Sequence, residues 1–190
     1  STDGTYLNEE QIAREAVRKA VQSRNPRPIE PGVYPVILEP QAVADLTGAN
    51  LSGADLAGAN LLGANLSLTN LSGASLPQAR LAGAYLPLSD LRRADLRRAY
   101  LREANLSFVD LTYANLAEAN LVQANLAGAT LFRADLTRAL LTAANLCEAK
   151  LCRALLRRAD LRGADLRECD LTGADLRGAD LRGVKWAGAI

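Results

Sequence analysis

One hydrophobic position recurs along most of this chain with a period of five residues. From Leu46 to Leu181 every fifth residue is leucine, and these 27 steps of five residues give 28 consecutive leucines without an insertion. The residue two positions before each leucine is small and almost always alanine, and the residue directly before it is Asp or Asn in most repeats. The two positions after the leucine vary, so the pattern predicts a repeat architecture with a very short unit.

A period of five excludes the two common regular elements. In an α-helix a step of five residues rotates about 140°, which would scatter the leucines around the axis. In an ordinary strand side chains alternate, so successive leucines would fall on opposite faces. The spacing instead predicts a coil that turns a corner after each five-residue side, with the leucine and the small residue pointing inward.

Units such as Ala54-Asp55-Leu56 and Ala124-Asn125-Leu126 resemble those of the pentapeptide-repeat family, and the resemblance covers residues 44–183. It implies an all-β solenoid, a right-handed quadrilateral parallel β-helix with four repeats per coil and therefore about seven coils. With strand-like spacing of about 4.8 Å per coil, the rod would be roughly 34 Å long. We expect an N-terminal cap or arm at 1–43, the β-helix at 44–185 and a C-terminal end at 186–190.

The leucines are expected to stack on one another twenty residues apart and to form the core. Burying each one contributes roughly 1.5–3 kcal/mol, which offsets the entropy of ordering a thin rod. The predicted core includes Leu46, Leu51, Leu56, Leu91, Leu96, Leu131, Leu136 and Leu181. The Asp or Asn before each leucine is predicted to accept hydrogen bonds from the turn backbone. Because these carboxylates recur in every coil, we interpret them as structural rather than catalytic.

Residues 1–43 lack the repeat. The run Asn8-Glu9-Glu10-Gln11 is typical of a capping box, and a helix with one apolar stripe is expected to follow it and to end near Ser23. Residues 33–38 are predicted to be extended. This segment either covers the open N-terminal end of the solenoid or serves as a binding arm.

A second resemblance covers residues 11–43. The stretch from Ser23 to Pro40 is similar to a segment of the bacterial metalloprotease family called modulators of gyrase. The chain contains no histidine, so no zinc-binding motif accompanies the resemblance and it does not imply protease activity.

The chain ends with Trp186-Ala187-Gly188-Ala189-Ile190. Trp186 takes the next central position, so Trp186 and Ile190 either cover the last coil or leave an end that pairs with another molecule. In the family that the repeats resemble, gyrase-directed members often dimerise through this end. The resemblance therefore implies a weak homodimer through the C-terminal end.

Residues twenty apart are expected to lie above one another, and two neighbouring outward columns are rich in arginine. The predicted partner-binding residues are Arg93, Arg98, Tyr113, Phe132, Arg133, Arg138, Arg153 and Arg158, with Arg92, Arg97, Arg157 and Arg177 beside them. One interpretation is a docking surface for an acidic protein partner, with the aromatic residues as anchors. The other is a solvated face whose arginines pair with nearby carboxylates.

Four outward apolar residues replace the Asp or Asn before the leucine. They are Tyr85, Tyr100, Leu140 and Leu155. They are interpreted either as a contact patch or as ordinary surface residues, since single exposed apolar side chains are common.

The composition excludes several function classes. Without histidine, neither a Ser-His-Asp nor a Cys-His arrangement is available, and the sequence contains no phosphate-binding GxxxxGK[ST] motif. We therefore predict a noncatalytic interaction or regulatory scaffold that needs no cofactor and no metal. The family resemblance also suggests modulation of a topoisomerase (gyrase) by DNA mimicry, which requires a strongly acidic rod. Residues 44–190 hold 15 acidic and 17 basic residues, which disfavours that alternative.

Nucleic-acid binding through the arginine-rich columns is a further alternative. The net charge of +1 over the whole chain and the interleaved aspartates disfavour it, because such binding needs several phosphate contacts. Cys147, Cys152 and Cys169 form no CxxC pair and are expected to be free thiols in a reducing compartment. No apolar run suggests membrane contact and no signal peptide is visible, so we expect the cytoplasm; a signal removed before residue 1 is left open.

Overall fold

The computed structural model describes residues 45–190, which form a rod of stacked twenty-residue coils. Within these residues there is no helix and no continuous strand; each strand is a single bridged residue. Parallel bridges join every fifth residue to the residue twenty positions later, from Asp45 with Asn65 to Asp165 with Lys185. The predicted helix near 8–23, the extended segment at 33–38, the cap or arm and the second resemblance lie outside the described residues.

The coils have four sides, which we number by their central residues. Side 1 carries Leu46 and every twentieth residue up to Trp186; sides 2, 3 and 4 start at Leu51, Leu56 and Leu61 in the same way. Each side consists of the central residue, the two residues before it and the two after it. The 28 leucines therefore make seven coils, and Trp186 begins an eighth.

Three backbone hydrogen bonds per side hold each coil to the next. On side 2, for example, Leu51 donates to the carbonyl of Asn70 at 2.7 Å, Asn70 donates to the carbonyl of Ala49 at 2.9 Å, and Gly53 donates to the carbonyl of Ser72 at 2.9 Å. This ladder satisfies backbone groups that would otherwise be buried without partners. It also sets the register of twenty residues that places side chains in columns.

A β-turn forms each corner. The amide of Ala49 donates to the carbonyl of Leu46 at 2.9 Å. Gly48, the residue directly before Ala49, has positive φ, as in a type II turn. The side chain before the leucine supports the turn: Asp45 accepts from the amide of Thr47 at 3.1 Å and Asn50 from that of Ser52 at 3.2 Å. These bonds are the ones that the repeat predicts for its Asp and Asn.

The left-handed corner position is not reserved for glycine. Twelve glycines occupy it with φ between 62° and 73°, and 17 other residues occupy it with φ between 54° and 60°. For an L-residue with a side chain, this left-handed backbone conformation costs about 1–2 kcal/mol of free energy. More than half of the corners therefore carry a side chain where glycine would be less strained.

The core consists of the leucine ladders and the small residues. The leucines of the middle coils are 0–1% exposed, and two buried polar exceptions are satisfied: Thr69 donates to the carbonyl of Leu46 and Ser89 to that of Leu86. Leu181, which the sequence places in the core, is only partly buried, since the described residues place no further coil over side 4. The other seven predicted core leucines are buried.

The C-terminal end of the rod is open. Trp186 is 41% exposed and Ile190 is 84% exposed, although Ile190 bonds to Cys169 and Leu171 through its backbone. The amides of Leu176 and Leu181 have no acceptor within residues 45–190. Leu166, which precedes Trp186 on side 1, is 1% exposed, while Leu171, Leu176 and Leu181 on the other three sides are only partly buried. No helix of the described residues is long and apolar enough to cross a membrane.

Candidate interaction face

In each corner turn, the residue two positions after the central residue points away from the rod. Its side chain leans toward the coil that follows in the sequence. Arg98 donates to Glu118 one coil later at 2.8 Å, and the stem of Arg153 lies against Gly173, with Cγ 3.5 Å from the position of an ideal Cβ. Side chains at this position therefore interact along columns parallel to the rod axis. Side 2 carries four of them in consecutive coils, Arg93, Tyr113, Arg133 and Arg153, with glycines at both ends.

An aromatic cluster lies at the centre of this column. The rings of Tyr113 and Phe132 meet edge to face, with centroids 5.8 Å apart and an interplanar angle of 86°. The guanidinium of Arg133 lies 5.8 Å from the Tyr113 centroid and 5.4 Å from that of Phe132. Both distances fit cation–π contacts, which fix the charge beside an apolar surface.

Within the described residues, the arginines of the side 2 column have no carboxylate partner. No Asp or Glu oxygen of residues 45–190 lies within 4.0 Å of the guanidinium nitrogens of Arg93, Arg133 or Arg153. Their charge is therefore available to an external anion. The sequence predicted all three, but not that they would differ from the arginines next to them.

Arginines one position earlier in the turn are neutralised. Arg92 donates to both oxygens of Asp90, at 2.9 and 2.6 Å, and Arg97 does the same to Asp95. These hydrogen bonds lower the pKa of both carboxyl groups below the ordinary range. The tripeptide Asp-Leu-Arg is thus an ion-pair signature, because the turn brings its first and third side chains together.

Side 3 is also largely neutralised. Glu118 lies between Arg98, at 2.8 Å, and Arg138, at 3.9 Å. Arg157 and Arg177 both donate to Asp175, which lowers the pKa of Asp175. Arg158 has no carboxylate within 4.0 Å among the described residues, and its stem lies against Gly178. The eight predicted residues therefore divide into an unpaired group on side 2 and a mostly paired group on side 3.

A groove of about 530 Å³ opens on side 2 next to Arg93. It forms because Gly73 has no side chain to continue the column. Its lining consists of Ser72, Gly73, Arg92, Arg93, Thr112 and Tyr113. The Ser72 hydroxyl donates to Asn70 at 2.8 Å, so the Thr112 hydroxyl and the Arg93 guanidinium are the donors that suit a carboxylate, and Tyr113 supplies an apolar wall. The sequence analysis did not single out Ser72 and Thr112, because nothing local marks a residue that lies below a glycine gap.

The cysteines do not form a site in the described residues. All three are free, and no group of three or more His, Cys, Asp or Glu side chains there is placed to hold a metal ion. Cys152 donates to Asp170 at 2.9 Å, which raises the pKa of the thiol. Burial raises the pKa of Cys169 to about 11. Neither thiol is activated as a nucleophile.

The exposed apolar residues are more numerous than the sequence analysis indicated. Tyr85, Tyr100 and Leu140 are exposed, as expected for outward replacements, while Leu155 is half-buried. Leu68, Leu88 and Phe108 were missed, and each is about 60% exposed. A leucine two positions after a core leucine gives no local signal of exposure, because the corner geometry turns it outward.

Comparison with known proteins places the repeat in a family. The profile described as pentapeptide repeats matches in eight copies, over overlapping stretches that run from residue 44 to residue 183. HetL, a pentapeptide repeat protein involved in heterocyst differentiation regulation from the cyanobacterium Nostoc sp. strain PCC 7120, is 31% identical; the match covers 95% of each chain, with a TM-score of 0.47. No curated protein matches the chain.

Two further solved structures are similar. QnrB1, a plasmid-mediated fluoroquinolone resistance protein, in a trypsin-treated form, is 21% identical over 78% of this chain and 86% of its own, with a TM-score of 0.58. Rfr23 from the cyanobacterium Cyanothece 51142 is 26% identical over 77% of this chain and 90% of its own, with a TM-score of 0.29. The match to QnrB1 shows the right-handed quadrilateral β-helix, as predicted. On the repeat profile, the coil geometry and the identity to HetL, this chain belongs to the pentapeptide-repeat protein family.

Proposed function

We propose that this chain is a noncatalytic scaffold that docks an acidic protein partner on side 2, through Arg93, Tyr113, Phe132, Arg133 and Arg153. The observation that supports this most is the contrast in pairing. Three arginines that have no carboxylate partner among residues 45–190 lie in the column of Tyr113, and Arg133 contacts the edge-to-face aromatic pair, while neighbouring arginines form ion pairs.

The energetics favour a protein surface over a simple solvated face. Aromatic and arginine side chains carry most of the binding energy in protein interfaces. Arg93, Tyr113, Arg133 and Arg153 share the left-handed corner conformation with 13 other non-glycine residues, so their residue types and their pairing, not backbone strain, support a docking surface.

The partner would present carboxylates along the rod axis next to an apolar group. Consecutive coils are about 4.8 Å apart, so Arg93 and Arg133 are separated by about 10 Å along the axis and Arg153 lies about 5 Å further. The groove beside Arg93 would accept one carboxylate, and the Tyr113–Phe132 pair would pack against an apolar side chain. Cytoplasmic location and a regulatory role of the kind given for HetL belong to the same proposal.

The test uses glycine substitutions, because glycine fits the left-handed corner without strain. The full chain is compared with an R93G/R133G/R153G variant in binding a fluorescent peptide of Glu-Glu-Phe repeats and its Gln-Gln-Phe counterpart. We expect the wild type to prefer the glutamate peptide at least tenfold, and we expect the variant to lose this preference. A Q123G/A143G variant on side 4 is the matched control, since it changes two corners away from the cluster and should bind normally.

Equal binding of the glutamate and glutamine peptides by the wild type would contradict the proposal. Retention of the preference in the R93G/R133G/R153G variant would also contradict it. Stronger binding of a single-stranded oligonucleotide than of the glutamate peptide would favour nucleic-acid binding instead. Residues 44–190 hold nearly equal numbers of acidic and basic residues, which disfavours DNA mimicry. A gyrase supercoiling assay with added protein tests that alternative directly.

Weak self-association through the C-terminal end is a second part of the proposal. The open last coil supports it, since the amides of Leu176 and Leu181 have no acceptor within residues 45–190 and Trp186 and Ile190 are exposed. Sedimentation at increasing concentration should show a dimer, and strictly monomeric behaviour at high concentration would exclude it. A W186E variant should lower the dimer fraction.

A further inference from the structure

Side 1 differs from the other three sides in carrying an uncharged stretch four coils long. Residues 64–68, 84–88, 104–108 and 124–128 contain no acidic or basic residue, while sides 2, 3 and 4 all carry charges within the same coils. The stretch begins after Asp45 in the first coil and ends before Glu148 in the sixth. Its neutrality is therefore a property of one face and not of the rod as a whole.

An apolar column runs along this neutral stretch. Leu68, Leu88 and Phe108 occupy the left-handed corner in three successive coils, with φ of 57°, 59° and 55°, and they are 60%, 61% and 60% exposed. Tyr85 on the same side is 48% exposed. The ring of Phe108 extends over Gly128 in the next coil, where an ideal Cβ would be 2.5 Å from Cε1. The column thus continues over four coils.

We propose that this column, independently of the acidic partner on side 2, binds the apolar face of an amphipathic α-helix from a second protein. The chain would then hold two partners on different sides and act as an adaptor between them. The column is defined as Leu68, Leu88 and Phe108; together with Tyr85, which lies on the same side three residues before Leu88, these are the four residues of the apolar patch.

Spacing supports a helix lying along the rod axis. The column side chains are about 4.8 Å apart from coil to coil. The turns of an α-helix are 5.4 Å apart, so residues at i, i+4 and i+7 of a helix stay close in register with three successive coils. Helix-in-groove recognition uses anchors with this spacing.

Area and charge indicate what kind of surface the column fits. At roughly 150–200 Å² for each large side chain, the four residues expose about 400 Å². This matches the larger apolar patches on monomers, which are often functional, but it is about half of what each partner contributes to a standard interface between globular proteins. A single helix covers such an area, whereas a second copy of the rod would leave most of its face without apolar contact. Because side 1 offers no counter-charge over these coils, the helix face must itself be uncharged.

The test compares the full chain with an L68G/L88G/F108G variant. Glycine removes the apolar side chains and leaves the left-handed backbone unstrained, so the variant should unfold at a denaturant concentration no lower than the wild type does. The probe is a fluorescent 18-residue peptide with leucines on one helical face and Gln and Ser elsewhere, compared with a scrambled peptide of the same composition. We expect at least tenfold tighter binding of the amphipathic peptide by the wild type, and loss of this preference in the variant.

The R93G/R133G/R153G variant serves as the matched control and should bind the amphipathic peptide like the wild type. No preference by the wild type, or an equal preference in the L68G/L88G/F108G variant, would overturn the proposal. Sedimentation velocity tests whether a second copy of the chain occupies the column instead of a helix. If the wild type dimerises and the L68G/L88G/F108G variant does not, a second copy fills the column and the helix proposal is wrong.

Discussion

The aromatic ring of Phe108 lies over Gly128, the residue one coil further along side 1. An ideal Cβ on Gly128 would be 2.5 Å from Cε1 and 2.6 Å from Cδ1 of the ring. Two features favour glycine at this corner, its φ of 64° and the ring above it. The other corners of the same coil also have positive φ but carry Arg133, Arg138 and Ala143, so positive φ alone does not require glycine.

The first prediction concerns this pair. Gly128→Ala should lower the free energy of unfolding by more than the about 1–2 kcal/mol of left-handed strain, because the Phe108 ring must also move. In an F108G background the same substitution should cost only the strain. Urea denaturation of the four proteins of this double-mutant cycle measures the coupling, and an equal cost in both backgrounds would show that the ring does not occupy this place.

The second prediction concerns strain at the corners. Ala143 has a φ of 55° and an exposed methyl group, so Ala143→Gly should raise the free energy of unfolding by about 1 kcal/mol. Ala127, one position earlier in its turn, is not among the residues with positive φ. Ala127→Gly should therefore lower stability by about 0.5–1 kcal/mol through chain entropy. Thermal and urea unfolding check both, and the same sign for the two substitutions would contradict this account of the turn.

The third prediction compares the middle and the end of the rod. Leu116 is fully buried between coils, and Leu116→Ala should cost about 3–5 kcal/mol by leaving a cavity. Leu181 is only partly buried, so Leu181→Ala should cost about 1 kcal/mol or less, since little apolar area is lost from a side chain that solvent already reaches. Denaturant unfolding of both variants measures the difference. Equal costs would mean that the last coil is covered in solution, which the dimer through the C-terminal end would explain.

The fourth prediction concerns pH. Hydrogen bonds from the side chain of Arg162 lower the pKa of Asp160 to about 2, below its value of about 3.9 in an unfolded chain. The stabilisation is therefore complete above about pH 4 and is lost as the pH falls from about 4 to about 2. Its size should be below about 1 kcal/mol because the pair is exposed to solvent.

The measurement for this prediction is the free energy of unfolding at several pH values between 6 and 2, for the wild type and for Asp160→Asn. Asparagine keeps the acceptor for the amide of Arg162 and removes the charge, so the variant should show a shallower fall in stability below pH 4. An Asp55→Asn variant, at an exposed turn where Asp55 accepts from the amide of Ala57 and has no ion pair within residues 45–190, controls for the substitution itself. An unchanged pH profile in Asp160→Asn would mean that this ion pair contributes nothing.

The sequence analysis and the structure agree on the repeat unit for a simple reason. Each pentapeptide makes its own corner from local groups: a turn hydrogen bond such as that of Ala49 with Leu46, and an Asx bond such as that of Asp45 with Thr47. Leucine at every fifth position then has only the interior available. Local chemistry that repeats without interruption can be interpreted from the sequence, so the core and the structural carboxylates could be predicted from it, whereas the number of coils was implied by the family resemblance.

The candidate sites were predicted less completely. All eight residues proposed for partner binding came from columns deduced at a spacing of twenty, but their pairing depends on how side chains lean between coils. Glu118 occupies the gap between Arg98 and Arg138, whereas Arg133 lies instead over Tyr113 and Phe132. Such contacts join residues from separate coils with freely rotating side chains, and no local pattern distinguishes them.

The amino-acid sequence alone determined the five-residue unit with a corner after each side and the inward position of leucine, because both follow from a short unit that satisfies its own backbone and buries its own apolar residue. The number of coils, seven, came from the resemblance to the pentapeptide-repeat family, which implies four repeats per coil. The tertiary structure alone decided which arginines lack a carboxylate partner among residues 45–190, that Trp186 is partly exposed, and that Leu68, Leu88 and Phe108 form one exposed column on a neutral side. The physical reason is the same in each case. Stacking brings together residues twenty positions apart, and their charge, exposure and strain depend on neighbours that the local sequence does not contain.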